Sequence, residues 1–228
     1  MFLRIPELLT AAQVASMTAS LSSAAAPWVD GRVTAGHQGA QVKHNQQLEE
    51  GSALARELGA LVIQQLERHP LFVSAVLPNK VYPPMFNRFA AGMQFGSHVD
   101  GAVRTIAGTG VKLRTDLSAT LFLTPPEAYE GGELVIEREL NTRSAKFDAG
   151  DLLVYSATAR HQVTAVTRGT RLAGVFWIQS LVREDENRER LFELDRTIQH
   201  LTQTGADPES MVRLAGLYHS LLRLWTEI

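Results

Sequence analysis

"GDLLVYSATARHQVTAVTRGTRLAG", Gly150 to Gly174, is the stretch that decides the fold class. "GDLLVYS" reads as a strand, "ATAR" as a turn and "HQVTAV" as the start of the next strand. "TRGT" then reads as a second turn, leading into a strand that carries Arg171. Working outward, the same texture of short apolar runs between Pro and Gly recurs from Leu71. It appears in "LFVSAVLP", "KVYPPMFNRFA", "LSATLFLTPP" and "GGELVIE". Many short strands with turn signals between them predict a β-sandwich or barrel. A further strand is expected near Arg32–Thr34.

Helical patterns flank this region. "LTAAQVASMTASL" predicts a helix with Thr10 as its N-cap. In the segment from Glu49 to Pro70, Leu54, Leu58, Leu61, Val62 and Leu66 recur at helical spacing, and Pro70 is expected to stop the helix. At the other end, Leu191, Leu194, Ile198 and Leu201 form one helical stripe. Met211, Leu214, Tyr218, Leu221, Leu222 and Trp225 form another, opened by Asp207 as N-cap and Pro208 at the first position. These stripes predict a C-terminal helical hairpin packed on the β core or on a second subunit. Gly101–Thr115 has three glycines, three cations and little apolar periodicity, and reads as a mobile loop, a candidate lid. Its Arg104, Lys112 and Arg114 are candidate contacts for an anionic substrate, or simply solvated.

With 228 residues, 45% of them hydrophobic and 20% charged, the chain is expected to bury a core as one large domain or a domain with an appendage. A net charge of −2 gives no electrostatic argument for nucleic acid or an acidic membrane. No run approaches the ~18 apolar residues of a membrane span, and a cytoplasmic location is expected. The chain has no cysteine, which excludes a disulfide framework, a zinc knuckle and a thiol nucleophile. Any metal must therefore use His, Asp or Glu.

The stretch "FGSHVDG", Phe95–Gly101, supplies two such groups. On a strand His98 and Asp100 share a face. His161 follows 61 residues after Asp100, and Arg171 ten residues after that. Each piece alone is weak, but the ordered set is much more specific. Two imidazoles and a carboxylate on one face of an octahedral ion leave three positions open, as in the facial triad of non-heme Fe(II) oxygenases. A 2-oxo acid takes two of these and O2 the third. The far carboxylate of 2-oxoglutarate then needs a fixed cation, and Arg171 offers a planar fork. Three rivals stand beside this reading: a cupin-like iron or small-molecule sensor, a zinc hydrolase built on the same three ligands, and an interaction protein using its helical tail. His37, His44, His69, His200 and His219 show no partner pattern and read as surface or structural. Glu133 reads as a strand residue after a turn.

On the blocks "NRFAAGMQFGSHVDGAVR", "LSATLFLTPPEAYEGGELVIE" and "FDAGDLLVYSATARHQVTAVTRGTRLAGVFWIQSLVR", with the helical tail, the sequence resembles the PKHD-type hydroxylases. These are bacterial members of the prolyl 4-hydroxylase-like 2-oxoglutarate/Fe(II) dioxygenases. The resemblance implies an α+β fold with a double-stranded β-helix (jelly-roll) core, N-terminal supporting helices and a C-terminal helical hairpin. It divides the chain into an oxygenase domain, 1–182, and a helical extension, 183–228. It implies His98, Asp100 and His161 as iron ligands, Arg171 as the 2-oxoglutarate anchor, and Trp177 as an aromatic wall of the cofactor pocket. The implied reaction is hydroxylation of an unactivated C–H bond of a small-molecule or peptide substrate, with O2 as co-reactant. L-ascorbate is a candidate addition, and a homo-oligomer through the C-terminal helices an open option. Two positions depart from the wider pattern: Phe89 stands where a tyrosine often precedes the H-x-D, and Ala173 where a hydroxyl residue often follows the arginine.

Overall fold

The computed structural model describes residues 1–138 and 141–227. The N-terminal part runs β1 (Phe2–Ile5), α1 (Ala11–Ser22), β2 (Trp28–Asp30), α2 (His37–Val42), β3 (Lys43–His44), β4 (Gln46–Leu48), α3 (Ala53–Arg68) and α4 (Pro70–Val76). The central part follows with β5 (Pro78–Val81), β6 (Met85–Ala90), β7 (Gln94–His98), β8 (Val103–Thr105), β9 (Lys112–Arg114), β10 (Leu117–Phe122) and β11 (Tyr129–Gly131). The last part holds β12 (Leu134–Arg138), β13 (Asn141–Ala145), β14 (Leu152–Ser156), β15 (Arg160–Val163), β16 (Val166–Ser180), α5 (Asp185–Gln203) and α6 (Pro208–Trp225).

The strands pair antiparallel into a large sheet, a small sheet and a two-stranded ribbon. The large sheet runs β1-β14-β10-β16-β6-β4-β2, with β5 and β11 also on β16. The small sheet runs β13-β12-β15-β7-β3, and β8 pairs with β9. Strand β10 shows how the layers form, because all six of its residues are buried. One face sends Leu117, Ala119 and Leu121 into a core shared with Val14, Met17 and Leu21 of α1, Val62 and Leu66 of α3, and Phe72 of α4. The other face, by strand alternation, points Ser118, Thr120 and Phe122 toward the small sheet. There Phe122, Phe89, Leu153 and Tyr155 pack against Leu134, Ile136 and Val163. The two sheets thus enclose a second core; α1, α3 and α4 cover the large sheet's outer face, and α2 packs against β7 of the small sheet.

Helix α1 starts as expected, with Thr10 and Gln13 forming a reciprocal capping box. Pro70 does more than end α3. It takes the first position of α4, capped by the His69 side chain, so "LFVSAVLP" is helical rather than a strand. Phe72, Ala75 and Val76 sit at helical spacing and fill the outer core. The strand expected near Arg32 lies just before it at Trp28–Asp30, and Gly31–Thr34 is a 3-10 turn capped by Asp30. Gly101–Thr115 is not a structureless loop. It forms the β8–β9 ribbon, pinned by fully buried Leu113 against Tyr82 and Trp177. "TRGT" lies inside β16, and the chain reverses at Thr164–Ala165 instead. Strand β16 continues through it because β11 pairs there, with Gly169 at φ +77° opposite Tyr129.

Helices α5 and α6 pack on each other. Leu191 joins Leu77 and Val182 in a small core, with Tyr218, Leu221, Leu222 and Trp225 against it. No helix among the described residues is long and apolar enough to cross a membrane.

Candidate active site

Register across the small sheet sets the first wall of the site. Ile136, His161 and His98 lie side by side on β12, β15 and β7, and Leu134, Val163, Phe95 and Lys43 form the next row. Between these rows β7 uses three residues where β15 uses two, a bulge. The extra residue puts Phe95 and His98 on the same face, where their rings stack at 3.6 Å. Strand β7 ends at His98, and Asp100 follows just beyond it.

His98, Asp100 and His161 each offer one ligand atom, and these atoms all lie within 4.8 Å of one another. The imidazoles are oriented alike. His98 Nδ1 is 2.8 Å from the Gly96 carbonyl and His161 Nδ1 is 3.0 Å from the Ala159 carbonyl. A carbonyl can only accept, so each Nδ1 carries a proton, and in the neutral ring each Nε2 has a lone pair for a metal. Burial, and next the neighbouring His161, pull the His98 pKa down to about 4, which favours the neutral ligand form. Ser118 donates its hydroxyl to Asp100 Oδ2 at 2.6 Å and fixes the carboxylate.

The large sheet supplies the opposite wall. Its inward rows are Tyr155, Ser118 and Trp177, then Leu153, Thr120, Val175 and Met85, then Phe122, Ala173, Asn87 and Gln47, with Arg171 opposite Phe89 beyond. Between the walls is a cavity of about 820 Å³ reached by the three ligand residues and by Arg171.

Arg171 is 2% exposed. Among the described residues it forms no ion pair, and its Nε is buried without a hydrogen-bond partner. Burial pushes its pKa below the ordinary guanidinium value. What holds the group is aromatic: Phe89 and Phe122 place ring centroids 5.4 and 5.7 Å from its central carbon. Phe89 thus trades a hydroxyl for a ring face against the guanidinium. The Tyr129 hydroxyl is close enough to act on Arg171 electrostatically, yet it too is buried without a hydrogen bond.

Trp177 is 8% exposed and serves both as packing and as cavity wall. It meets Tyr82 edge-on at 5.6 Å, and Arg104 lies over its ring at 3.9 Å. Of the three loop cations only Arg104 lines the cavity. Arg114 is held by Asp116 and Glu227, and Lys112 is exposed away from it. Glu133 accepts from Thr164 at 2.6 Å and lies outside the cavity lining. His37 stands exposed at the rim. Ser118, Tyr129, Tyr155 and Lys43 were not singled out by the sequence. Ser118 and Thr120, two hydroxyls spaced by two in an apolar strand, were a usable signal for one of them.

Comparison with known proteins agrees with this geometry. Residues 84–179 match the family model described as the 2OG-Fe(II) oxygenase superfamily, and residues 185–227 match the PKHD-type hydroxylase C-terminal domain. A PKHD-type hydroxylase of Paraburkholderia phymatum is 54% identical over the full length of both chains. Among solved structures, a Burkholderia pseudomallei oxidoreductase of the 2OG-Fe(II) oxygenase family superposes with a TM-score of 0.59 at 17% identity, covering 81% of this chain and 86% of that one. A Pseudomonas putida prolyl-4-hydroxylase gives 0.53 at 18%, covering 78% and 92%. These two likenesses concern the fold. With full-length identity above half and both family models matched, the chain belongs to the PKHD-type hydroxylases, oxidoreductases of the 2OG-Fe(II) oxygenase superfamily.

Proposed function

We propose that the chain hydroxylates an unactivated C–H bond of a small molecule or peptide, with Fe(II) held by His98, Asp100 and His161 and 2-oxoglutarate anchored by Arg171. One oxygen atom of O2 ends in the new hydroxyl and the other in succinate, while the C1 carboxylate of 2-oxoglutarate leaves as CO2. The two facing sheets are read as a jelly roll spanning 1–182, with 183–228 as a helical-hairpin extension.

The observation that carries this reading is Arg171. A guanidinium buried without a carboxylate is costly, and an anion from outside the chain removes that cost. The residues present fit the cofactor. Two imidazoles and one carboxyl group converge within 4.8 Å, and a fixed cation stands in the same cavity. Ferrous iron, when bound with 2-oxoglutarate, supplies the activation of O2. The chain's own work is positional. Gly96 and Ala159 set the tautomers, Ser118 holds Asp100, and Phe89 and Phe122 hold the guanidinium in place for a bidentate carboxylate contact. Burial of the cavity floor keeps water away from the reacting centre. A sensor or a zinc hydrolase would leave Arg171 without a role.

The test is anaerobic visible absorption of the apo protein with Fe(II), then with 2-oxoglutarate, for wild type and Arg171→Met. A weak charge-transfer band that needs both additions is expected in wild type. The variant is expected to keep its iron and to need at least tenfold more 2-oxoglutarate. Bound iron with no band in wild type would remove the oxygenase reading.

A further inference from the structure

A second pair of cations faces the same cavity and has no assigned use. Lys43 sits on the small sheet's inward face, placed there by its register opposite Phe95. It is 8% exposed, and its ammonium lies over the Phe95 ring at 5.2 Å. Among the described residues its ammonium makes only two hydrogen bonds, both long, to Gln47 Oε1 at 3.3 Å and Thr34 Oγ1 at 3.4 Å. Arg104 reaches in from β8, its guanidinium against Trp177 and 5.0 Å from the Tyr82 ring centroid. Among the described residues neither cation has a carboxylate within ion-pair distance. The nearby acids are engaged elsewhere: Asp30 with Arg32, and Glu50 with the Tyr82 hydroxyl. The polar floor beside Lys43 is also incomplete. Gln47 Nε2 and Asn45 Oδ1 are buried with no hydrogen-bond partner.

Charge balance sharpens the point and rests on the function proposed above. The two charges of 2-oxoglutarate and that of Asp100 are matched by a ferrous ion and Arg171. Among the described residues, Asp100 is the only carboxylate lining the cavity. Lys43 and Arg104 are then left over in a partly desolvated space. Burial, and then the neighbouring Arg104, already lower the Lys43 pKa to about 8.

We propose that Lys43 and Arg104 form an oxyanion-recognition pair, and that the substrate carries a carboxylate or phosphate group held by them while its reacting C–H bond faces the His98–Asp100–His161 centre. Arg104, its central carbon 3.9 Å from the Trp177 ring centroid, offers N–H donors to the anion, and Lys43 approaches from the small sheet.

The test uses inorganic phosphate as probe on the full chain loaded with Mn(II) and 2-oxoglutarate, so that Arg171 is already occupied. Binding of 2-oxoglutarate is measured first by calorimetry. Relaxation of the phosphate ³¹P resonance by Mn(II) then reports a bound oxyanion near the centre. Wild type is expected to show saturable enhancement. Lys43→Met and Arg104→Gln are each expected to weaken it at least fivefold while 2-oxoglutarate binding is kept. Displacement by acetate at matched concentration identifies a carboxylate site, and resistance to acetate a phosphate site. Enhancement that is absent, or unchanged in both variants, with 2-oxoglutarate still bound would overturn the pair alone. Failure of wild type to bind 2-oxoglutarate would overturn the parent function and this inference with it.

Discussion

Ser118 has a small side chain with a specific task. Its hydroxyl is 2.6 Å from Asp100 Oδ2, it is 2% exposed, and it sits opposite both Tyr155 and Trp177 in the sheet. A partner of this kind orients a ligand carboxylate rather than binding metal itself. Ser118→Ala is expected to weaken Fe(II) or Mn(II) binding about tenfold, the lower end for such contacts, with little change in the unfolding midpoint. Unchanged metal affinity by calorimetry would show that Asp100 needs no such support. At this scale the sequence was most legible where the candidate ligands lie close along the chain or on adjoining strands, which the structure brings within 4.8 Å. His98 and Asp100 are one residue apart, and His161 to Arg171 spans a strand reversal. Lys43 and Ser118 come from separate segments, and only the register of the sheets brings them to one cavity. Phe89, marked as a missing hydroxyl, turns out to face the guanidinium with its ring.

Elements were legible in proportion to how far their pattern depends on the chain alone. The caps at Thr10 and Asp207 are local chemistry, and both are present. The apolar run after Pro70 fits a strand or a short buried helix equally well, and packing against the outer face of the large sheet selects the helix. The β8–β9 ribbon was hidden for a related reason. Its one buried anchor, Leu113, is apolar in a polar stretch and gains meaning only against Tyr82 and Trp177. The β11–β16 pairing adds a tight constraint. Gly131 has φ +69°, and a Cβ there would stand 2.0 Å from the Ala165 carbonyl oxygen. That contact is with backbone, so it cannot be relieved by a rotamer change. The register shift at this point also sets β11, which carries Tyr129 beside Arg171. Gly131→Ala is expected to cost about 2–4 kcal/mol by urea unfolding. It should also weaken 2-oxoglutarate binding, because Tyr129 moves with the strand. A cost below about 1 kcal/mol would mean that the turn relaxes freely.

At the scale of the whole molecule, the N-terminal residue meets α5, and the segment after α6 meets the β region. The Met1 ammonium lies 3.0 Å from Glu189 and 3.5 Å from Asp185. At the other end Glu227 pairs with Arg114 at 2.7 Å, and Val182 bridges Thr226. Arg188 stands between them, 1% exposed, donating to the carbonyls of Val182 and Arg183 and pairing with Asp185. These two kinds of contact differ in weight. The Arg114–Glu227 pair has a half-exposed carboxylate, so solvent screens it and Glu227→Gln is expected to cost no more than about 0.5 kcal/mol. Arg188→Ala instead strips the buried Val182 carbonyl and the partly buried Arg183 carbonyl of their charged donor and opens a cavity beside Leu77, Val182 and Leu191. It is expected to cost about 3 kcal/mol or more. If α5 and α6 belong to one cooperative unit with the β core, that loss appears as a lower midpoint of a single transition, read alike by tryptophan fluorescence and by circular dichroism. Two separated transitions in Arg188→Ala would mean that the extension unfolds on its own, and that the cavity keeps its shape without it.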